Sequence, residues 1–325
     1  MIKDNNNIYE DIKQHEQIIT TMQKKKMLMP IIIYNIFNNY RGNSDYLEEL
    51  KNRISDERDY FDLINLLNNI PYNYSLMIKD IFNSTPISIS SPYYTKMLVD
   101  IDNTTIENSA VARVQYQDRY IIPGIRSILK YFSNGKTTVD FISARPKIVE
   151  RTSINMVNKL LSNDLRFSFL TGDIKALVKY IDGKITLSKT KLNNSYYHMA
   201  IKKYQNYLEL KQIYPHCRFI FMGDDTQGDY YFAKMLVDNN QLNFGIIRQI
   251  ADTIIQDDIK YHPRIFFHTS YFELIYKLIL HGLINKEQIK QLLSSEVLYH
   301  YKWFNYIDKS QVAKDQYYYN IIMAL

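Results

Sequence analysis

The pattern of apolar and polar positions divides the chain into a helical beginning, an alternating middle and a helical end. Over residues 1–90, apolar residues recur at roughly helical spacing with charged residues between them. From residue 96, short apolar runs alternate with helical segments, which is typical of βαβ units and a mostly parallel sheet. We therefore expect a helical N-terminal region of unassigned role over 1–90, an α/β core over 91–255, and a mostly helical C-terminal segment over 256–325 that packs on the core.

Individual elements of the core can be predicted from apolar runs and from the proline and glycine residues that bound them. The predicted strands are Lys96–Ile101, Thr137–Ile142, Arg218–Met222 and Phe244–Ile247. The predicted helices are Pro123–Phe132, Pro146–Leu161, Tyr196–Ile213 and Asp229–Val237, followed in the tail by Tyr271–His281 and Lys286–Val297. The stretch that contains Gly172 and Gly183 is assigned no element.

Composition narrows the class of protein only modestly. Of the residues, 46% are hydrophobic and 14% aromatic, which is too much for a disordered chain. The net charge of +6 suits an anionic substrate or a membrane surface, and it equally suits solubility alone. The single cysteine, Cys217, cannot form an intramolecular disulfide or a zinc site, so a reducing, cytoplasmic location is expected.

One apolar stretch, Met27 to Phe37, bears on membrane association. It follows three consecutive lysines, but it is shorter than the roughly 20 residues that a spanning helix needs, and Pro30 interrupts it. A buried core helix is the favoured interpretation, with an interfacial helix beside a basic cluster as the alternative. We expect no transmembrane segment, with peripheral membrane association left open.

Polar side chains follow three of the predicted strands at the point where each strand ends. The first strand leads into Asp100, Asp102 and Thr104, and the second leads into Ser143 and Arg145. The third leads into an acidic turn with the sequence Gly223-Asp224-Asp225-Thr226-Gln227-Gly228-Asp229. Each group alone is typical of a solvated loop or a helix cap. Because ligands of open α/β sheets bind at the carboxyl ends of the strands, the three together predict one site.

These residues match motifs of the haloacid dehalogenase (HAD) superfamily of phosphohydrolases, which the chain therefore resembles. The first motif, Asp-x-Asp-x-Thr, matches residues 100–104, and the second, a strand that ends in Ser or Thr, matches Ser143. The fourth, Gly-Asp with another acid a few residues on, matches Asp224 with Asp229, and Asp225 is a further candidate. The resemblance implies a HAD-like Rossmannoid three-layer α/β/α sandwich with a mostly parallel sheet and a small or absent cap.

A closer resemblance is to the phosphatidate phosphatase catalytic domain of the actin-patch-associated type, with lipins as more distant relatives. It covers about residues 95–292, so the first 90 residues lie outside it. The residues that carry it are Pro123-Gly124, Ser143-Ala144-Arg145-Pro146, Tyr214-Pro215, Arg218 to Asp229, Ile265-Phe266-Phe267 and Gly282-Leu283-Ile284. The third motif of the superfamily is a lysine on the helix before the last motif strand, and its distance from Tyr214-Pro215 favours Lys203, with Lys202 as the alternative.

The acid pair suits hydrolysis of a phosphate monoester through an aspartyl-phosphate intermediate. Asp100 would attack phosphorus, and Asp102 would protonate the leaving oxygen and then activate water. The Asp100 carboxylate, the Asp102 backbone carbonyl and Asp224 would hold Mg²⁺, with Asp229 reaching it through water. Acids packed around one site repel one another, so electrostatics also predict a cation.

Cationic and hydroxyl groups would offset the charge on the transferring phosphoryl group. Ser143 and Lys203 are assigned to this catalytic role, whereas Thr104, Arg145 and Lys202 are assigned to substrate binding. At the Ser143 strand end, a phosphate could also accept hydrogen bonds from the free amides of a helix N-terminus.

The substrate is predicted less sharply than the reaction. Residues 105–138 leave little room for a cap, and the gap from Pro146 to Ile201 holds only a modest insertion around Asp182–Ser195. An open site favours a large or surface-bound substrate, and the resemblance implies phosphatidate or a related phospholipid. The alternatives are a phosphatase for a phosphoprotein, a nucleotide or a nucleic-acid end, and a non-catalytic scaffold on the same fold. No feature of the sequence specifically indicates nucleic acid.

Overall fold

The structure is a computed structural model, and its secondary structure follows the predicted alternation of helices and strands. The residues that it describes are 5–55, 63–86, 95–106, 121–133, 137–147, 150–161, 165, 167–172, 178, 182, 189–226, 228–241, 244–250, 262–294, 296 and 309–325. No helix among them is long and apolar enough to cross a membrane. The connector around Pro92, residues 107–120 and most of the insertion after Gly172 lie outside the described residues.

A six-stranded sheet forms the centre of the fold. Its strands are β1 (Thr95–Val99), β2 (Thr137–Pro146), β3 (Phe167–Gly172), β4 (Arg218–Asp224), β5 (Phe244–Arg248) and β6 (Ile265–His268). Every neighbouring pair is parallel, and the spatial order is β3-β2-β1-β4-β5-β6. The strand order reverses between β1 and β4, which makes the carboxyl ends of these two strands a topological switch point.

Twelve helices are described, and they lie on both faces of the sheet. They are α1 (Asn5–Lys24), α2 (Pro30–Asn38), α3 (Ser44–Ser55), α4 (Leu63–Asn69), α5 (Tyr72–Ser84), α6 (Ile125–Phe132), α7 (Glu150–Leu160), α8 (Lys189–Ile213), α9 (Asp229–Asp238), α10 (Tyr271–Leu280), α11 (Lys286–Ser294) and α12 (Lys309–Ala324). The first five confirm that residues 1–90 are largely helical. Together with the parallel sheet they confirm a Rossmann-like α/β class.

Alternation along the central strands separates two hydrophobic cores. On β1, Leu98 faces a core that includes helices α1 to α5, α8 and α9, whereas Met97 and Val99 face a core that includes α6, α7 and α10 to α12. Both faces of the strand are therefore buried, which explains its continuous apolar run. The N-terminal helices share the first core with the sheet, and α2 contributes its buried residues Ile33, Ile36 and Phe37 to it.

The C-terminal segment packs on the opposite face of the sheet. Helix α12 contacts α10 and α11, so the tyrosine-rich end of the chain lies away from the N-terminal helices. The buried carboxylate of Glu296 accepts hydrogen bonds from the backbone amides of Gly124 and Ser127, at 2.7 and 2.5 Å. It thereby caps the first turn of α6, where orphan N–H groups favour an anion.

Several element boundaries differ from the sequence prediction. Strands β3 and β6 were assigned no element, although Phe167–Gly172 and Ile265–His268 form the two edges of the sheet. Strand β2 continues to Pro146, which pairs with Gly172, so α7 begins at Glu150 and not at Pro146. Helix α8 begins at Lys189, and the last part of the predicted insertion therefore belongs to this helix.

Candidate functional site

The two acids at the ends of β1 and β4 lie side by side at the switch point. The register pairs Val99 with Met222, and the amide of Asp100 donates a 2.9 Å hydrogen bond to the Met222 carbonyl. The next residues along β4 are Gly223 and Asp224, so both strands deliver a carboxylate to the same edge of the sheet. Both side chains are buried, with 2% of Asp100 and 0% of Asp224 exposed.

The loop after β1 is fixed by side chains on two other elements and by a hydrogen bond within the loop. Asn103 adopts a left-handed conformation with φ of 61°, which asparagine tolerates, and this turns the chain back after Asp102. The Arg248 guanidinium donates to the Asn103 carbonyl at 2.7 Å, and the Tyr271 hydroxyl donates to the Thr104 carbonyl. The Thr105 hydroxyl donates to the Asp100 carbonyl at 2.8 Å. These bonds hold the acid-bearing loop in one arrangement.

Glycines at two positions allow the acidic turn after β4 to close. A Cβ at Gly223 would lie 2.6 Å from Oδ2 of Asp229, which is too close for any other residue. Gly228 has φ of +91°, and a Cβ there would lie 2.3 Å from the Tyr196 carbonyl oxygen. Gly228 is the N-cap of α9, so Asp229 begins that helix and turns back to accept a hydrogen bond from the Asp224 amide at 3.1 Å.

Lys203 joins the end of β1 to the start of α9. It projects from α8, its side chain is fully buried, and its ammonium group donates to Oδ1 of Asp100 at 2.6 Å and also to Oδ1 of Asp229. Lys202, the alternative lysine, is partly exposed on the same helix. Adjacent helical positions differ by about 100° in direction, so only one of two neighbouring lysines can reach this point. The structure therefore brings Lys203 to the two acids.

The cluster of Asp100, Asp224, Asp229 and Lys203 carries more acid than base. When all four groups are ionised, three carboxylates share one ammonium group, which leaves an excess of two negative charges in a buried space. Burial and, after it, the Asp229 carboxylate together raise the pKa of Asp100 to about 8, although Lys203 opposes the rise. Burial and both neighbouring carboxylates raise the pKa of Asp224 well above its usual value.

For Asp229 and Lys203, too, burial and the charges of neighbouring groups shift the pKa in opposite directions. Burial raises the pKa of Asp229, and Lys203 opposes this rise. Burial disfavours the charged form of Lys203, but Asp100 and Asp229 more than offset it and raise the pKa of the lysine above its ordinary value. The lysine is therefore held as a cation, and the remaining charge imbalance falls on the carboxylates.

The geometry of the three acids could accommodate a divalent cation. One carboxylate oxygen from each of Asp100, Asp224 and Asp229 lies within 4.8 Å of the others. Oδ2 of Asp100 and Oδ2 of Asp224 are buried and have no hydrogen-bond partner among the described residues. Such orphan oxygens are costly unless something neutralises them. An all-oxygen donor set with excess negative charge fits a hard cation such as Mg²⁺.

The second acid of the loop, Asp102, is paired with Arg145. The guanidinium donates from Nε to Oδ2 at 2.8 Å and from Nη2 to Oδ1 at 2.6 Å. This bidentate pair holds the Asp102 carboxylate in a defined orientation. The Ser143 hydroxyl accepts a hydrogen bond from the Arg145 amide at 3.1 Å, which leaves the hydroxyl hydrogen available to a ligand.

The remaining predicted residues lie around this centre with distinct contacts. Thr104 is fully buried, and its hydroxyl has no hydrogen-bond partner among the described residues. Asp225 does not join the acid cluster. Its carboxylate accepts from the Ile250 amide at 3.0 Å, and its own amide donates to the Arg248 carbonyl, so it ties the acidic turn to the end of β5.

Three residues that support the site were not predicted from the sequence. They are Arg248 and Tyr271, which hold the loop after β1, and Thr226, whose amide and hydroxyl both donate to Oδ1 of Asp224. The contact of Thr226 is an Asx-type turn, and an Asp-Asp-Thr sequence after a strand could have indicated it. Arg248 directly follows the predicted strand Phe244–Ile247, so its position at the same edge was the available signal. No feature of the sequence around Tyr271 indicates that this residue reaches the site.

Comparison with known proteins provides no further assignment. No protein-family model, no curated protein and no solved structure matches this chain.

Proposed function

We propose that this chain is a Mg²⁺-dependent phosphatase that hydrolyses a phosphate monoester, with phosphatidate or a related phospholipid as the substrate. The observation that carries the proposal is the position of Lys203, which links Asp100 to Asp229 beside Asp224 at the switch point of the sheet. A nucleophilic carboxylate, a fixed cation and spare acidic ligands at one strand edge are what this reaction requires. The motif resemblance to HAD phosphohydrolases supports the same assignment.

In the first step, Asp100 attacks phosphorus and forms an aspartyl-phosphate while the alcohol leaves. Its orphan Oδ2 is the available nucleophilic oxygen, because Oδ1 accepts from Lys203. Lys203 and the Ser143 hydroxyl then stabilise the developing charge on the phosphoryl oxygens. Asp224 and Asp229, together with Oδ1 of Asp100, would hold Mg²⁺, which supplies additional neutralisation of the phosphoryl group when bound.

Asp102 is the general acid and base of the reaction. Its two hydrogen bonds from Arg145 orient the carboxylate. A substrate phosphate is a second anion that competes for the guanidinium. Asp102 takes up a proton from solvent before the first step, passes it to the leaving oxygen as the P–O bond breaks, and accepts a proton from the attacking water in the second step.

The experiment is phosphate release by the full chain from two kinds of substrate. Phosphatidate in vesicles is compared with soluble monoesters such as p-nitrophenyl phosphate, in Mg²⁺ and in a chelator. We expect Mg²⁺-dependent release, with vesicle phosphatidate preferred, and a loss of at least about 1,000-fold in Asp100→Asn. The matched control is Asp182→Asn, which removes an exposed acid paired with Lys191 and should leave the rate unchanged.

Each part of the proposal can fail separately. Release from soluble compounds alone would exclude the lipid substrate and keep the phosphatase. An Asp100→Asn variant with full activity would exclude the nucleophile. A folded wild-type chain with no activity on any monoester would favour the scaffold alternative.

A further inference from the structure

Large apolar side chains are exposed mainly on the N-terminal helices and their connections. In the described part of residues 1–86 they are Tyr9, Ile18, Met27, Met29, Ile31, Tyr72, Leu76 and Met77. Three of them lie close together in the connection from α1 to α2 and in the first turn of α2, where 65% of Met27, 49% of Met29 and 50% of Ile31 is exposed. Apolar groups this concentrated are typical of an interaction surface.

The local backbone explains why these side chains point outward. Residues 27–29 form an extended connection, and Met29 has φ of −111° and ψ of 93°. Alternation along an extended chain places Met27 and Met29 on one side, while Leu28 lies on the other and packs against the core. Pro30 then begins α2, which buries Ile33, Ile36 and Phe37 and leaves Ile31 outside.

Three exposed lysines directly precede these apolar residues. Lys24 ends α1, Lys25 and Lys26 form the turn after it, and Lys26 has a left-handed φ of 54° that leads the chain into the extended connection. Cationic and apolar side chains therefore stand within one eight-residue segment, residues 24–31. This combination of a basic cluster and shallow apolar groups is suited to the interface of an anionic bilayer.

The apolar area continues from α2 onto α5. Ile31 and Tyr34 are three residues apart on α2 and so lie on one side of the helix. Tyr34 lines a shallow depression of about 340 Å³ together with Arg41, Leu76 and Met77. We call residues 24–31 together with Leu76 and Met77 the docking surface.

A cleft of about 630 Å³ borders the docking surface. Its lining includes Lys26 and Leu28 of that surface and also Lys147 and Glu150. Lys147 lies two residues after Arg145, which pairs with Asp102.

We propose that the docking surface binds the headgroup layer of an anionic bilayer, with the lysines on the lipid phosphates and Met27, Met29 and Ile31 inserted between the headgroups. The purpose of this contact rests on the proposed function, because it would present a membrane phosphate to the site. The binding itself does not depend on catalysis. A nucleic acid would use the lysines but would gain little from exposed methionine and isoleucine.

The test is cosedimentation of the full chain with vesicles of phosphatidylcholine alone or with added phosphatidylserine, a phosphodiester that a monoesterase does not hydrolyse. We expect binding to the anionic vesicles that weakens with added salt. The variants are Met27→Ser/Met29→Ser/Ile31→Ser and Lys24→Glu/Lys25→Glu/Lys26→Glu, and each should lower the partition coefficient by roughly tenfold or more. Leu280→Ser and Lys314→Glu alter equally exposed residues on α10 and α12 and should bind as wild type.

Activity assays separate this proposal from the proposed function. The apolar triple variant should keep the wild-type rate on p-nitrophenyl phosphate and lose rate only on vesicle phosphatidate. Binding by both wild type and Asp100→Asn, with no phosphatase activity in either, would support docking and reject the enzyme. Equal vesicle binding by wild type and both triple variants, or no binding to anionic vesicles, would overturn the docking proposal whatever the activity.

Discussion

Two buried clusters of charged residues lie on the same face of β1, one near each end of the strand. The amino-end cluster contains Lys96 and the carboxyl-end cluster contains Asp100, four residues further along and about 13 Å away. Both lie on the side of the strand on which Leu98 packs with α8. They differ in charge balance, and that difference separates a structural cluster from one suited to chemistry.

The amino-end cluster is neutral. Lys96 pairs with Asp140 at 3.3 Å, and Lys51 pairs with Glu48, so two ammonium groups face two carboxylates. Both ammonium groups also lie over the ring of Tyr214, at 3.8 and 4.7 Å from its centroid. The cluster joins α3 to the sheet and thus fixes the N-terminal helices on the core.

The carboxyl-end cluster has the same depth of burial but an excess of acid. Lys203 is its single ammonium group, shared between Asp100 and Asp229, while Asp224 has one oxygen bound by Thr226 and one without a partner among the described residues. Balanced buried charges stabilise a defined arrangement, whereas unbalanced ones cost stability until a ligand neutralises them. Burial of charged residues alone therefore does not indicate a functional site.

The largest expected effect comes from the one cation of the carboxyl-end cluster. Lys203→Met should lower the rate of phosphate release by about 1,000-fold, because the phosphoryl charge and Asp100 lose their fixed counter-charge. Lys202→Met, one position along the same helix, should retain most of the activity. Steady-state rates on a soluble monoester measure both. Equal losses in the two variants would mean that the contact of Lys203 with Asp100 has no catalytic role.

The amino-end cluster should respond in stability and not in activity. Lys96→Met leaves Asp140 buried without its cation and should lower the free energy of unfolding by about 3 kcal/mol or more. The double variant Lys96→Met/Asp140→Leu removes both charges and should recover part of this loss. Urea unfolding gives the free energies, and the rate per folded molecule should stay at the wild-type value. A single variant as stable as wild type would contradict a structural role.

Mg²⁺ should stabilise the carboxyl-end cluster selectively. At 100 times its dissociation constant, a cation that binds only the folded chain adds about 2.7 kcal/mol to the free energy of unfolding. Asp224→Asn should remove most of this gain, while Lys96→Met should retain it despite its lower starting stability. Thermal unfolding with Mg²⁺ or with a chelator compares the two variants. A Mg²⁺ shift of the same size in Asp224→Asn would place the cation elsewhere.

His268 provides a smaller effect of pH at the same edge of the sheet. Burial and, to a smaller extent, the Arg248 charge lower its pKa to about 3, so the residue stays neutral in the folded chain. Its contribution to stability is present above its unfolded pKa of about 6.5 and is lost as the pH falls through the range towards 3, because only the unfolded chain takes up the proton.

At pH 5 this loss amounts to about 2 kcal/mol relative to pH 7. His268→Gln should show a correspondingly weaker fall in the free energy of unfolding between these two values, measured by urea titration. Identical pH profiles for wild type and variant would show that the buried histidine is protonated in the folded chain.

The central strands and their polar ends could be predicted because they carry continuous apolar runs. Strand β1 is buried on both faces, so the apolar run Met97, Leu98 and Val99 predicts it, and the acids that follow are recognisable as polar residues at a strand end. Strands β3 and β6 are the edges of the sheet. Polar residues interrupt the apolar run of β3, and β6 is only four residues long, so neither gave a comparable signal. Edge position thus limited the prediction of the fold more than any feature of the core did.

Contacts between distant segments could not be predicted in the same way. The spacing along α8 left Lys202 and Lys203 open, because one residue changes the direction of a side chain by about 100°. The pairs Arg145 with Asp102 and Lys96 with Asp140 each join residues more than forty positions apart in sequence. Their pairing depends on strand register, which the apolar pattern alone does not fix.

The most direct measurement is covalent labelling of the chain during turnover. A monoester carrying a radioactive phosphate is mixed with the full chain and Mg²⁺, the reaction is quenched in acid, and the label on the protein is located by peptide mapping. We predict label on Asp100 in the wild type, released by hydroxylamine as expected for an acyl phosphate, and none in Asp100→Asn. Turnover without label on Asp100, or label that persists in Asp100→Asn, would contradict the assignment of Asp100 as the nucleophile.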